Sequence, residues 1–168
     1  MTGASGVGKT TAVAALRARN RPQLECFHFD DIGVPSMAEI EREFGSGERW
    51  QAHATEQWLL RLSKQPGLPA VSVLDGQTRP SFVRAALERV PQMNLRMLLL
   101  DCSSAVREAR LVARGHSELA NHQMDTWSAY LRGQADALAL PVIDTSSRSV
   151  EQIADELEGH VERMRLGG

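Results

Sequence analysis

The sequence has little of what would staple or anchor a fold from outside its own core. Only two of its 168 residues are cysteine, Cys26 and Cys102. They lie far apart without a C-x-x-C partner, so neither a disulfide framework nor a zinc site is indicated. The five histidines, at 28, 53, 116, 122 and 160, show no metal-ligand spacing and read as ordinary. No apolar run approaches membrane-spanning length, and no basic segment followed by an apolar stretch is present, so neither a membrane nor secretion is expected. The net charge of −2 gives no electrostatic reason to expect nucleic acid or an anionic membrane as a partner. Of the 19 basic residues only Lys9 and Lys64 are lysine. What remains is an ordinary composition, 42% hydrophobic and 24% charged. The length fits a single domain, residues 1–168, that buries its own core. A reducing cytoplasm is the expected location, and a monomer or homodimer the expected state.

Apolar runs and helical periodicities alternate along the chain. Thr10 to Arg19 is rich in Ala and Leu and stops at Asn20 and Pro22, which predicts a helix. Leu24 to Phe29 predicts a buried strand ending at Asp30 and Asp31. Ser36-Met37-Ala38-Glu39 has capping-box spacing. A second helix runs from about Glu48 to Lys64, with Trp50, Ala54, Trp58 and Leu62 on one face. After Pro66-Gly67, Ala70 to Leu74 predicts a strand ending in Asp75-Gly76, followed by a helix over Ser81 to Val90. Leu95 to Leu100 predicts another strand, ending in Asp101, and Ser103 to Arg114 the next helix. Asn121 to Leu138 predicts a longer helix, with Met124, Trp127, Leu131 and Leu138 on one face. Leu140 to Ile143 is the last strand, and Ser149 to Gln152 caps the last helix. Polar residues follow each strand's C-terminal end, where parallel α/β sheets bind ligands.

Gly3-Ala4-Ser5-Gly6-Val7-Gly8-Lys9-Thr10 matches G-x-x-x-x-G-K-[ST] at every fixed position. Glycine lets the backbone fold tightly with its N–H groups pointing at phosphate oxygens. The helix opening at Thr10 and Thr11 adds its positive end, Lys9 reaches the β and γ phosphates, and the Thr10 hydroxyl ligates Mg²⁺. Nucleotide binding, with ATP and Mg²⁺ as cofactors, is therefore expected. No N-K-x-D segment is present to read a guanine base. The strand ends Leu74-Asp75-Gly76 and Leu100-Asp101-Cys102 lack the Glu that would polarise water for hydrolysis. Transfer to a bound acceptor is thereby favoured.

The loop, Asp30-Asp31, Asp75-Gly76-Gln77-Thr78-Arg79, the Arg107, Arg110 and Arg114 helix and Asp144-Thr145-Ser146, taken in that order, resemble the small P-loop kinases. These include adenylate, shikimate and gluconate kinases and the chloramphenicol phosphotransferases. The resemblance implies a three-layer α/β domain with a mostly parallel sheet in the order 2-3-1-4-5. It places Asp30, or its neighbour Asp31, against the acceptor hydroxyl, to orient it and take its proton. Asp75 resembles the carboxylate that holds Mg²⁺ through water; Asp101 is a rival whose position before a helix suggests a cap. Arg79 resembles the arginine of D-G-x-P-R, which grips an anionic group. Arg110 and Arg114 share a helix face, and a short lid over about 107–121 would close them on the transferring phosphoryl group. Asp144-Thr145-Ser146 resembles the loop that contacts adenine, while Trp127 and Tyr130 are expected in the core rather than stacked on a base. Thr78 stands where adenylate kinase has proline, and Phe29-Asp30-Asp31 where shikimate and gluconate kinases favour Asp-x-Asp, so the acceptor is open. The implied function is γ-phosphoryl transfer from ATP to a small-molecule hydroxyl or phosphate. The rivals are an ATP-binding regulatory or chaperone-like module and a slow hydrolase. Only Met1 and Thr2 precede the loop, whereas the resemblance puts a central strand there. A strand of roughly five residues upstream is therefore expected, with Met1 a misassigned or engineered start.

Overall fold

A computed structural model describes residues 1–64 and 71–166. The expected Pro66-Gly67 break and the start of a strand at Ala70 lie outside the described residues. The helices are α1 (Lys9–Ala18), α2 (Met37–Phe44), α3 (Gly47–Ser63), α4 (Pro80–Leu87), α5 (Ser104–Ala113), α6 (His122–Ala137) and α7 (Val150–Leu166). The strands are β1 (Leu24–His28), β2 (Val71–Asp75), β3 (Leu99–Asp101) and β4 (Val142–Asp144). Local signals set most boundaries. Ser36 accepts from the Glu39 amide while the Glu39 carboxylate accepts from the Ser36 amide, closing the expected box at α2. Ser149 and Gln152 exchange the equivalent bonds at α7.

β1 pairs with β2 and β3 with β4, both in parallel. Thr2 forms parallel bridges to Gly76 on one side and Leu99 on the other. It donates its amide to Leu98 O at 2.9 Å and accepts from the Leu100 amide at 2.9 Å, while the Met1 amine donates to Leu74 O at 2.6 Å. The residues leading into the phosphate loop thus lie between β2 and β3. The described ladders are two two-stranded sheets linked through Thr2 rather than one continuous sheet. Beside this link runs a mostly apolar cavity of about 380 Å³, lined by Met1, Leu59, Val73, Leu98 and Val161 among others.

Strand side chains alternate between two faces, as a pleated backbone requires. Cys26, Val73, Leu100 and Ile143 join a core under α1 and α7. Phe27 and Leu74 pack toward Trp58 of α3, and Leu99 and Val142 pack against Leu131 of α6. Helices therefore cover both sides of the strands in three layers, as expected. Two expectations change. Residues 95–98 are not strand: among the described residues their only ladder contact is the Thr2 amide on Leu98 O, and Leu95 and Met97 pack on the cluster between α3 and α4. Leu138 leaves the α6 core face and is 44% exposed, because the helix ends at Ala137.

Candidate active site

The phosphate loop leaves Thr2, turns through Gly6 and Gly8, and enters α1 at Lys9. Gly6 has φ 85° and Gly8 φ 98°, a region that L side chains rarely adopt. A Cβ on Gly6 would also fall 2.9 Å from Cγ of Arg107, whose buried side chain supports the loop from α5. The loop is pinned from outside as well. Val7 O accepts from Thr145 Oγ1 at 2.8 Å and from Arg110 at 3.3 Å, and Ser5 Oγ accepts from Gln77 Nε2 at 2.9 Å.

Lys9 Nζ donates to the carbonyls of Gly3 and Ala4, each at 2.9 Å. Burial lowers its pKa from 10.5 to about 8, partly opposed by the carboxylates of Asp75 and Asp30. Lys9, Thr10, His28, Asp30, Asp31, Asp75, Arg79 and Arg114 line one cavity of about 1430 Å³, together with Ser5, Gly6 and Gly8. The elements bring these groups together because the loop, the turn after β1 and the end of β2 all open at the same edge of the strands.

Each carboxylate has a distinct environment. The chain turns at Phe29–Ile32, and Asp31 Oδ2 accepts from the His28 amide at 3.0 Å, so Asp31 caps that turn. The Asp30 carboxylate has no hydrogen-bond partner among the described residues and lines the cavity. Asp75 is 4% exposed; its Oδ1 meets His28 Nδ1 at 3.1 Å, and its Oδ2 has no partner among the described residues. Asp101 does not cap α5, because Ser103 takes that role by accepting from the Val106 amide. Its carboxylate accepts from Ser128 at 3.4 Å and lies 3.5 Å from Arg132 instead.

The arginines also separate. Arg110 donates to Thr145 Oγ1 at 2.9 Å and Thr145 O at 2.7 Å, which ties α5 to the Asp144-Thr145-Ser146 segment and the underside of the loop. Arg114, one turn on, donates to Thr11 Oγ1 at 3.0 Å and lines the cavity. Arg79 donates to Gln51 Oε1 at 2.9 Å and lies 4.8 Å over the Trp127 ring, with Glu48 no closer than 3.8 Å. Trp127 packs against the core as expected and also borders the cavity, where it stacks at 5.4 Å on Tyr130, which is exposed rather than in the core.

Three residues to which the sequence assigned no role belong to this site. Gln77 sits inside the quoted Asp75–Arg79 stretch, so its position was visible although its bond to Ser5 was not. Gln51 gave no signal on a polar stretch of α3. His28 looked ordinary because its partner lies 47 residues away and meets it only through the β1–β2 register.

No protein-family model matches the chain, and no curated protein sequence matches it. Its fold is similar to solved structures of P-loop kinases. A shikimate kinase from Acinetobacter baumannii in complex with shikimate aligns with a TM-score of 0.63 at 15% identity, covering 98% of this chain and 92% of that one. A gluconokinase from Sinorhizobium meliloti 1021 aligns with a TM-score of 0.63 at 18% identity, covering 99% and 94%. Deoxyadenosine kinase from M. mycoides aligns with a TM-score of 0.60 at 12% identity, covering 96% of each chain. The chain thus shares the mixed α/β fold of these kinases.

Proposed function

We propose that the protein is a phosphotransferase that moves the γ-phosphoryl group of ATP to a small molecule bearing a hydroxyl or phosphate. The observation that carries this reading is the composition of the cavity of about 1430 Å³. Its floor is the phosphate loop, and it is also lined by Asp30, whose carboxylate has no hydrogen-bond partner among the described residues, and by Arg79, whose nearest carboxylate, Glu48, lies 3.8 Å away at the site's margin. A module that only bound ATP would have no use for the second pair. The solved kinases of similar fold, named for shikimate, gluconate and deoxyadenosine, support the class and leave the acceptor open.

Among the described residues no three His, Cys, Asp or Glu side chains form a metal cage. The donor set fits Mg²⁺ held mainly by its own waters and phosphate oxygens. Asp75 Oδ2, a buried acceptor with no partner, and the Thr10 hydroxyl would hold it, and it would neutralise charge on the β and γ phosphates. The chain's own groups do the rest. Lys9 exchanges two carbonyl partners for phosphate oxygens, which bind a cation more strongly. Asp30 orients the acceptor hydroxyl and receives its proton, while Arg79 holds an anionic group of the acceptor. Arg114 covers the phosphates from α5, and Arg110 keeps the loop and the Thr145 segment aligned with the nucleotide.

Incubation with γ-labelled ATP and pooled metabolites tests the reading. Label on an organic acceptor, abolished by Lys9→Ala, is the expected result. Tight ATP binding with no acceptor labelled would point to a regulatory module, and acceptor-independent phosphate release to a hydrolase.

A further inference from the structure

His28 stands between the three carboxylates of the cavity wall. Its amide is bonded by Asp31, its side chain meets Asp75 Oδ1 at 3.1 Å, and Asp30 is its second neighbour along the chain. The side-chain contact is built into the sheet, because His28 and Asp75 are register partners at the ends of β1 and β2. Asp75 is almost completely buried, and among the described residues His28 is the one group that hydrogen-bonds its carboxylate. An imidazole donating from Nδ1 engages one carboxylate oxygen and leaves the other, Oδ2, without a partner among the described residues. A buried carboxylate oxygen left unpaired is costly unless a ligand satisfies it.

We infer that His28 is the positioning residue for Asp75: its Nδ1–H fixes Oδ1 so that Oδ2 is held ready for a water of the cation that accompanies the nucleotide. The inference rests on the phosphotransferase reading only in its use of Mg²⁺ with a nucleotide, and it needs no acceptor. The two histidine nitrogens are separable by substitution. Asparagine places an amide donor near the position of Nδ1, whereas glutamine places one near Nε2.

The test compares binding of ADP in chelator with binding of ADP in excess Mg²⁺, by calorimetry, for the wild type, His28→Ala, His28→Asn and His28→Gln, each checked for an unchanged melting transition. In the wild type Mg²⁺ tightens ADP binding. In His28→Ala this tightening falls by about tenfold, the scale expected when a hydrogen-bond partner behind a metal ligand is removed, while affinity for ADP in chelator stays within about twofold. His28→Asn recovers most of the Mg²⁺ effect and His28→Gln does not. If His28→Ala keeps the wild-type Mg²⁺ effect, or if Gln rescues as well as Asn, the inference is overturned. A wild type whose ADP affinity ignores Mg²⁺ overturns the underlying assignment of Asp75, and the inference with it. Should His28→Ala unfold, the Asn and Gln pair decides alone.

Discussion

Lys9 shows how a single residue links burial to chemistry. Its ammonium is held by two carbonyls and depressed to about 8 by burial, so at neutral pH it is charged and in need of an anion. A bound phosphate raises its pKa again, so the nucleotide prefers the protonated form. Affinity for ADP in chelator should be flat in this group below about pH 8 and should fall by up to about tenfold per pH unit above it. At pH 9 binding should take up a proton, read by calorimetry in two buffers of different ionisation enthalpy. An affinity unchanged from pH 7 to 9.5 would show that Lys9 does not meet phosphate. The residues of the loop were legible because each has a fixed offset within eight positions. The division of labour among Asp30, Asp31, Asp75 and Asp101 was not, since it depends on which carboxylate finds a partner across the fold. Asp75 finds His28, Asp101 finds Ser128 and Arg132, and Asp30 finds none among the described residues, whereas Asp31 takes the His28 amide three residues back.

Among the elements, α5 carries two roles one turn apart. Arg110 makes three bonds to the loop and the Thr145 segment, whereas Arg114 reaches the cavity. Sequence spacing places both on one face but cannot say which end of that face meets the phosphates. Arg110→Ala should lower stability by about 2 kcal/mol, the range for hydrogen bonds to charged groups, with a matching fall in melting temperature. Arg114→Ala should leave the melting temperature unchanged and lower the transfer rate by about a hundredfold, as for loss of one donor to developing charge. Equal melting losses in both variants would contradict this division. Capped helices were legible for the opposite reason: the bonds at Ser36 and Ser149 span three residues and need no other part of the chain. The apolar stretch 95–98 looked like strand and is not, because a strand is completed only by its neighbours.

For the whole molecule, Thr2 is the link between the two halves of the strand layer. It bridges Gly76 and Leu99, and its buried hydroxyl donates to Thr78 O at 2.8 Å and accepts from the Thr78 amide at 3.2 Å. The same residue therefore aligns the phosphate loop with the Asp75–Arg79 segment that faces the acceptor. Thr2→Ala should cost about 1–3 kcal/mol through the stranded Thr78 amide and should weaken acceptor binding more than nucleotide binding. A variant as stable as the wild type would show that other contacts hold the halves together. The alternation of strands and helices was legible from the sequence because polar punctuation separates every element, and it led to the correct fold. The two-part strand layer was legible as well, because only Met1 and Thr2 stand where the resemblance puts a central strand; that Thr2 alone bridges both halves was not, since it is a property of pairing.

All three scales meet in Asp30, the one carboxylate lining the cavity that has no hydrogen-bond partner among the described residues. The most direct measurement is transfer of label from γ-labelled ATP to an acceptor by the wild type and by Asp30→Asn, with MgATP affinity measured alongside. The expected result is an organic phosphate whose formation falls by about a hundredfold or more in Asp30→Asn, at unchanged MgATP affinity. Label recovered only as inorganic phosphate, or Asp30→Asn transferring at the wild-type rate, would contradict it.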